Sequence, residues 1–158
     1  SPAVDAIFGG WQFSGINTIQ GGLGLTATLG GSSVLSLGGE RQARPNLIGN
    51  PVLPASQRTV QGWFNTDAFA AFTPAPQAFG SAGVVVMRGP GYVNFDFNLA
   101  KTFRLDEQRS MQFRTEMFNA FNHANFNPPD IRRDATTFGQ ILSAQNARIL
   151  QFALKLYF

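Results

Sequence analysis

Few side chains in this sequence are equipped for chemistry. His123 is the sole histidine, in the stretch Phe121-Asn-His-Ala-Asn-Phe126. A nucleophile–histidine relay or an imidazole metal ligand would have to use it. Cysteine is absent, which excludes disulfides and thiolate metal sites and leaves the redox compartment open. Arg114 and Glu116 stand two apart, so on an extended strand they share a face. With Asp96 on a neighbouring strand, Glu116 could form a carboxylate pair of the kind that serves as acid and base in glycosidases. The plainer reading is an ion-pair ladder of Asp96, Arg104, Arg114 and Glu116 along a polar face, which needs no substrate. Asp5, Asp106, Glu107, Asp130 and Asp134 lie in separate segments without the spacing of a calcium loop. Gly89-Pro-Gly91 is no phosphate cradle, because proline removes a donor and neither Lys-Ser/Thr nor a helix follows. The expectation is a non-enzymatic protein with no catalytic residue, no metal and no cofactor.

Composition narrows the class. Of 158 residues, 13% are charged, against roughly 25% in an average soluble domain. Gly is 17 and Phe is 16, unlike an ordinary cytosolic α/β enzyme. The apolar share of 44% is enough to bury a core and argues against disorder. The length suits one domain spanning 1–158. No apolar run approaches the roughly 18 residues of a membrane helix. The pI is near 10, yet the net charge is only +3 and the 12 cations are scattered. Nucleic-acid binding needs a clustered basic footprint, so no nucleic-acid partner is expected. The first residues, Ser-Pro-Ala-Val-Asp-Ala, carry neither a charged n-region nor an apolar h-region. Either a signal has been removed or the sequence is a piece of something longer.

The elements that would position these side chains repeat with period two. Across 93–105 the odd positions are Val93, Phe95, Phe97, Leu99, Lys101, Phe103 and Leu105, and the even ones are Asn94, Asp96, Asn98, Ala100, Thr102 and Arg104. One face is apolar apart from Lys101 and the other polar, as in a two-faced strand. After the polar link 106–108, Met111, Phe113, Thr115 and Met117 alternate with Gln112, Arg114 and Glu116. This predicts an antiparallel hairpin. The same alternation predicts strands at 150–158, 23–30 and 34–37, and one starting at Trp11. There Gly15 marks a bulge, because apolar parity passes from Phe13 to Ile16. A weaker strand covers 138–144, and 83–88 makes a possible eighth. Between 38 and 91 lies a long stretch with six of the nine prolines and with Trp63, Phe64, Phe69, Phe72 and Phe79. Those aromatics predict an ordered loop that packs. A second loop covers about 122–137.

A 13-residue strand is about 43 Å long and, tilted about 40°, rises about 33 Å, enough to cross an apolar band of about 25 Å. Trp11, Tyr92, Phe103, Phe121 and Tyr157 near strand ends suit interfacial girdles. The polar face with Asp96, Arg104, Arg114 and Glu116 would line a lumen, and Lys101 must snorkel or sit at an interface. A soluble β-sandwich also alternates, but its strands run about 5–6 residues. The sixteen Phe could serve sugar or hydrophobic ligands, though on alternating strands they suit a core or lipid face better. The fold class expected is therefore all-β: an antiparallel outer-membrane-type barrel, or barrel segment, of about seven or eight strands with one long ordered loop at about 38–91.

Several motifs are familiar in this order. They include Arg44-Pro-Asn-Leu-Ile-Gly-Asn-Pro51, Trp63-Phe-Asn65 with Ala68-Phe69, Phe79-Gly80, and Arg88-Gly-Pro-Gly91 leading into Asn94-Phe-Asp-Phe-Asn-Leu99. Gln112-Phe-Arg-Thr-Glu-Met-Phe-Asn-Ala-Phe-Asn-His123 with Asn125-Phe126, Phe138-Gly139, and 148–158 complete the set, and Gly10-Trp-Gln-Phe-Ser-Gly-Ile16 fits as well. Together they resemble the C-terminal β-barrel region of TonB-dependent receptors, in the Oar-like group bearing a carboxypeptidase regulatory domain. The resemblance implies that His123 is a loop residue and that the terminal Phe158 is read by the barrel-assembly machinery. It also implies an outer-membrane or extracellular-surface location in a Gram-negative-type bacterium. The family's energised import rests on a plug domain, a TonB box and about 22 strands. No plug domain and no TonB box is found in this sequence.

Seven or eight strands leave sheet edges that lipid does not tolerate. Three solutions exist: the missing strands come from the rest of a receptor, the chain closes on itself, or copies complete each other edge to edge. The leading expectation is a structural subunit that self-associates into an oligomer or filament through its first and last strands, 11–19 and 149–158. The joining residues would be Trp11, Phe13, Ile16, Leu150, Phe152, Leu154, Leu156 and Phe158. The alternative is the C-terminal barrel part of an outer-membrane receptor for nutrient uptake. A third class, a soluble ligand-binding sandwich, would be a monomer without detergent.

Overall fold

The computed structural model describes Val4 and residues 7–29, 43–70 and 80–158. Its dominant feature is a four-stranded antiparallel sheet built from β1 (Trp11–Gln20), β6 (Tyr92–Arg104), β7 (Ser110–Phe118) and β8 (Ile149–Tyr157), in the order β1-β6-β7-β8. Two short ribbons accompany it: β2 (Gly24–Leu25) with β5 (Met87–Arg88), and β3 (Asn46–Leu47) with β4 (Phe69–Ala70). The chain divides into two compact units. One comprises Ser1–Gln20, Tyr92–Asn125 and Gln145–Phe158, and the other Gly21–Gly91 and Phe126–Ala144.

In the first unit, alternation becomes two faces because pairing is one-for-one along every ladder. Phe13, Leu99, Thr115 and Phe152 form one rung, and Ser14, Asn98, Glu116 and Gln151 form the next. The first rung belongs to an apolar face and the second to a polar one, since successive side chains point oppositely. The β6–β7 hairpin predicted at 93–105 and 109–117 is present. Its turn is set by Asp106, whose Oδ1 accepts from the amides of Gln108 at 3.0 Å and Arg109 at 2.7 Å. These backbone donors, with the Arg109 side chain, hold the Asp106 carboxyl below its ordinary pKa. An aspartate that caps its own turn in this way is a standard turn initiator.

The bulge expected at Gly15 is absent. Register runs unbroken from Trp11↔Lys101 to Gln20↔Tyr92. Gly15 instead faces Phe97, whose Cδ1 would lie 2.6 Å from a Cβ at that position. The ring occupies the space a side chain would take, the pattern by which aromatics rescue strand glycines. Parity therefore does not switch. Asn17 stands opposite Phe95 on the apolar face, and Ile16 stands opposite Asp96 on the polar one.

The second unit owes its order to burial rather than to ladders. Leu25, Ala27, Phe64, Ala68, Phe69, Ala82, Met87 and Phe138 are buried together, with Leu47, Trp63, Val86 and Ile131 packed against them. Phe64, Phe69 and Phe138 meet edge to face at centroid distances of 5.1–6.1 Å, a favoured aromatic geometry. The described parts of the long proline-rich stretch, with Trp63, Phe64 and Phe69, thus pack. Phe72 and Phe79 lie outside the described residues, as does the strand expected at 34–37.

Three other strand expectations need correction. The segment 23–30 buries Leu25 and Ala27, but its backbone changes partner every few residues. Gly24–Leu25 pairs β5, Thr28 N–H bonds Ile131 O, and Leu29 N–H bonds Ala43 O. The segment 83–88 contributes only Met87–Arg88. The segment 138–144 is a series of turns, with Phe138 N–H to Ala135 O and Gln140 N–H to Thr137 O, followed by an isolated bridge from Ala144 to Phe126. Gly139 adopts φ +84° there, a conformation suited to glycine.

Gly22 is a position where this unit tolerates no side chain. A Cβ there would fall inside the carbonyl oxygen of Gly89, in the Gly89-Pro-Gly91 segment whose first amide bonds Leu23 O at 2.8 Å. The obstacles, the carbonyls of Gly89 and Pro90, are backbone, so the chains must part. Gly22→Ala is expected to cost about 1–3 kcal/mol and to raise amide exchange at Gly89. An unchanged denaturation midpoint would show that the crossing can open freely.

Candidate functional site

The functional surface is the sheet itself. On the polar face the register gathers Asp96 and Arg104 of β6 with Arg114 and Glu116 of β7, as the sequence predicts. The continuous ion-pair ladder does not form. Arg114 Nη1 meets Glu116 Oε1 at 3.5 Å, but Asp96 Oδ1 accepts the Asn119 amide at 2.9 Å. Asp96 and Arg104 are eight positions apart on one strand, roughly 26 Å, so a single network cannot join them. Asn98 Oδ1 and Arg114 Nε are buried on this face with no hydrogen-bond partner among the described residues.

At one end of the face, three asparagines at positions i, i+3 and i+6 organise the exit of the chain from β7. Asn119 and Asn122 adopt left-handed φ of 49° and 53°, which asparagine tolerates better than most residues. Asn119 is buried. Its Oδ1 accepts the His123 amide at 2.9 Å, and its Nδ2 donates to His123 O at 3.0 Å and Asn146 O at 3.2 Å. Asn122 Oδ1 accepts the Arg148 amide at 3.0 Å just before β8. Asn125 satisfies both backbone groups of Val93, each at 2.8 Å, in the manner of a neighbouring strand. His123 Nδ1 lies 3.1 Å from Asn125 Oδ1, so the sole histidine is part of this turn, as the resemblance implies. A cleft of about 370 Å³ opens beside it, bordered by Tyr92, Asn94, Asp96, Asn119, Asn125 and Gln151 among others. Sequence reasoning treated this segment as a loop around His123. The signal for its real organisation was the three-residue spacing of the asparagines.

The apolar face carries Trp11, Phe13 and Ile19 of β1, Phe95, Phe97 and Leu99 of β6, Phe113 of β7, and Leu150, Phe152, Leu154 and Leu156 of β8. Phe13 and Phe152 are each 65% exposed. Lys101 is the one cation of this face, and it is only 3% exposed. Its Nζ lies over the rings of Trp11 at 5.1 Å and Phe103 at 5.3 Å, and donates to the carbonyls of Ile7 and Gly9. Such a cage lets an ammonium persist on an apolar surface. Of the expected girdle residues, Trp11 and Phe103 share this face, while Tyr92 and Tyr157 fall on the polar parity at strand ends. Of the expected edge residues, Trp11, Phe13, Leu150, Phe152, Leu154 and Leu156 lie on the two outermost strands of the sheet, on its apolar face. Ile16 is on the same edge but turned to the polar face, and Phe158 follows β8 at 92% exposure.

The loop unit holds one strongly perturbed acid. The guanidinium of Arg132 hydrogen-bonds the Asp130 carboxylate at 2.8 and 3.0 Å, and Thr137 Oγ1 donates to it at 2.6 Å. The Arg132 bond is the main reason that the Asp130 pKa lies well below its ordinary value, with burial acting in the opposite sense. A depressed carboxylate pKa contributes stability that is present above the unfolded value and lost as pH falls below it. The loop unit should therefore hold constant stability from neutral pH to about 4 and weaken below that. Asp130→Asn is expected to lower neutral stability by about 1–3 kcal/mol and flatten the acid limb, as read from denaturant midpoints across pH. An unchanged acid limb would remove Asp130 as its cause.

Among the described residues, no group of three or more His, Asp or Glu is placed to hold a metal, and no helix is long and apolar enough to cross a membrane. The crossing elements of this architecture are strands. Neither the curated proteins nor the solved structures contain a match to this chain. The family model described as an outer membrane beta barrel domain matches residues 1–151. With its two-faced antiparallel sheet, the chain belongs to the outer membrane beta barrel domain family, and its place is the outer membrane.

Proposed function

We propose that this chain forms part of the wall of a TonB-dependent receptor barrel that takes up nutrients, without being an enzyme. The observation that carries the reading is the asymmetry of the sheet. Its short turn, 105–109, lies at one end, while the long connections 21–91 and 119–148 both leave from the other. Outer-membrane barrels have short periplasmic turns and long extracellular loops. The polar face, with Asp96, Arg114, Glu116 and the unpartnered Asn98 Oδ1 and Arg114 Nε, suits a hydrated lumen. The motif resemblance to the C-terminal region of such receptors supplies the rest. Among the described residues β1 and β8 each carry one edge without a neighbouring strand, and lipid requires both to be covered. In a receptor, further strands of the same polypeptide cover them.

One observation favours a second reading. β1 and β8 run antiparallel to each other across the four-stranded sheet. Copies joined β8 to β1 would continue the alternation and keep the even strand number of bacterial barrels. Native mass spectrometry of barrels extracted from the producing cell's outer membrane separates the two. A single longer polypeptide per barrel is expected for the receptor. A particle that is a multiple of 17.1 kDa would favour self-association. For the receptor, the growth defect of a deletion strain on limiting nutrients should not add to that of a strain lacking TonB. Additive defects would sink energised uptake.

A further inference from the structure

The loop unit contains a second cleft, of about 280 Å³, separate from the polar face of the sheet. We propose that it is a binding site for a small organic anion with a flat apolar body, such as an aryl carboxylate. Three observations carry this. First, its wall combines the ring of Trp63 with Val52, Val86 and Met87, and its charged members are Arg58 and Arg88 with no acid beside them. Arg58 lies over the Trp63 ring at 5.7 Å and spends Nε on Leu53 O at 3.0 Å. Arg88 contacts Gly22 O through Nη1 at 3.4 Å. Neither guanidinium has a carboxylate partner among the described residues, so each keeps donors free for an anion. The guanidinium fork matches a carboxylate in shape as well as charge.

Second, the aromatic platform is fixed. Trp63 Nε1 donates to Arg88 O at 2.9 Å, and the Trp63 amide donates to Gly139 O at 2.9 Å. The ring is therefore held by its edge, beside the strand that carries the second arginine. Third, Val85 at the rim adopts φ +54°, a genuine outlier for a β-branched residue. Its amide donates to Thr26 Oγ1 at 2.9 Å, and its side chain presses on Gly24, where a Cβ would not fit. Strained backbone that the surroundings hold in place clusters at ligand clamps. Apolar clefts with a few convergent polar groups are the usual form of small-molecule sites. This site is independent of whether the barrel transports.

The test is titration of the full chain in detergent with 2-naphthoate and, in parallel, with the neutral 2-naphthalenemethanol. Trp11→Phe leaves Trp63 as the single tryptophan reporter, and calorimetry gives the affinities. Naphthoate is expected to bind about tenfold more tightly than the alcohol, and Arg58→Gln or Arg88→Gln to remove about that factor. Arg88→Lys should retain part of it. Raising salt on the unmutated chain should weaken naphthoate and leave the alcohol unchanged, a readout that no folding defect can imitate. Equal affinity for the two probes, or naphthoate binding indifferent to both salt and Arg58→Gln, would overturn the proposal.

Discussion

Phe69→Ala is expected to cost about 3–5 kcal/mol and to unravel the loop core. Phe69 is 1% exposed and meets Phe64 and Phe138 edge to face. Its backbone pairs with Leu47, and its carbonyl accepts Arg133 Nε at 2.7 Å. Among the described residues the buried core here holds eight, three of them alanine, so most of the volume of a lost phenyl ring stays as a void. The cost of such a cavity grows with how poorly the site can close. Hydrogen exchange should lose protection at Ile48, Asn65 and Ala82, whose amides bond within this core's loops. Phe69→Leu, which keeps most of the volume, should cost less than about 1.5 kcal/mol. A loss below about 1 kcal/mol for the alanine variant would mean that the aromatic cluster does not organise these loops.

Asn125→Ala is the second large effect. The side chain is 2% exposed and bonds both the N–H and the C=O of Val93, at 2.8 Å each. Alanine strands two part-buried backbone groups at once, at about 1–2 kcal/mol apiece. A loss of about 2–4 kcal/mol is expected, with faster exchange of the Val93 amide. Asn125→Asp is the informative companion. It keeps the acceptor for the Val93 amide but loses the donor to the Val93 carbonyl, placing a carboxylate against it. Its cost should exceed that of a single lost bond. If Asn125→Ala and Asn125→Asp both leave the denaturation midpoint unmoved, water replaces the asparagine without loss, and the turn does not depend on it.

How much of this was legible in the sequence follows from where period two is enforced. Along β6, β7 and β8 pairing to each neighbouring strand is one-for-one and each face has one environment, so alternation is written plainly within these strands. At Gly15 the same rule misleads. The glycine and Asn17 interrupt the apolar row because Phe97 already covers the glycine, and a reader of β1 alone sees a bulge. In the segment 138–144 even burial does not alternate: Phe138 and Ile141, three positions apart, are both buried, while Leu142 is exposed. The backbone there bonds successively to Ala135, Asp130, Thr137 and Val60, which no local period encodes. The cleft between Arg58, Trp63 and Arg88 was illegible for the same reason: its parts lie up to thirty positions apart and are joined by loop packing. The asparagines of the β7 exit were legible in type and spacing, but their partners, Val93, Asn146 and Arg148, are distant in sequence. Asp96, Arg104, Arg114 and Glu116 share one face of the sheet because parity suffices for that, while the ladder among them required distances.

The most direct measurement is a comparison of two adjacent rungs in the native outer membrane. The chain has no cysteine, so single cysteines at Phe13, Leu99 and Phe152, or at Ser14, Asn98 and Gln151, report without background. The first set shares the apolar face and the second the polar face. Fluorophores at the first set are expected to be quenched by brominated lipid and shielded from aqueous iodide, and those at the second set to show the reverse. Equal quenching of the two rungs, or aqueous access at Leu99 and Phe152, would contradict a sheet that turns one face to lipid and the other to water.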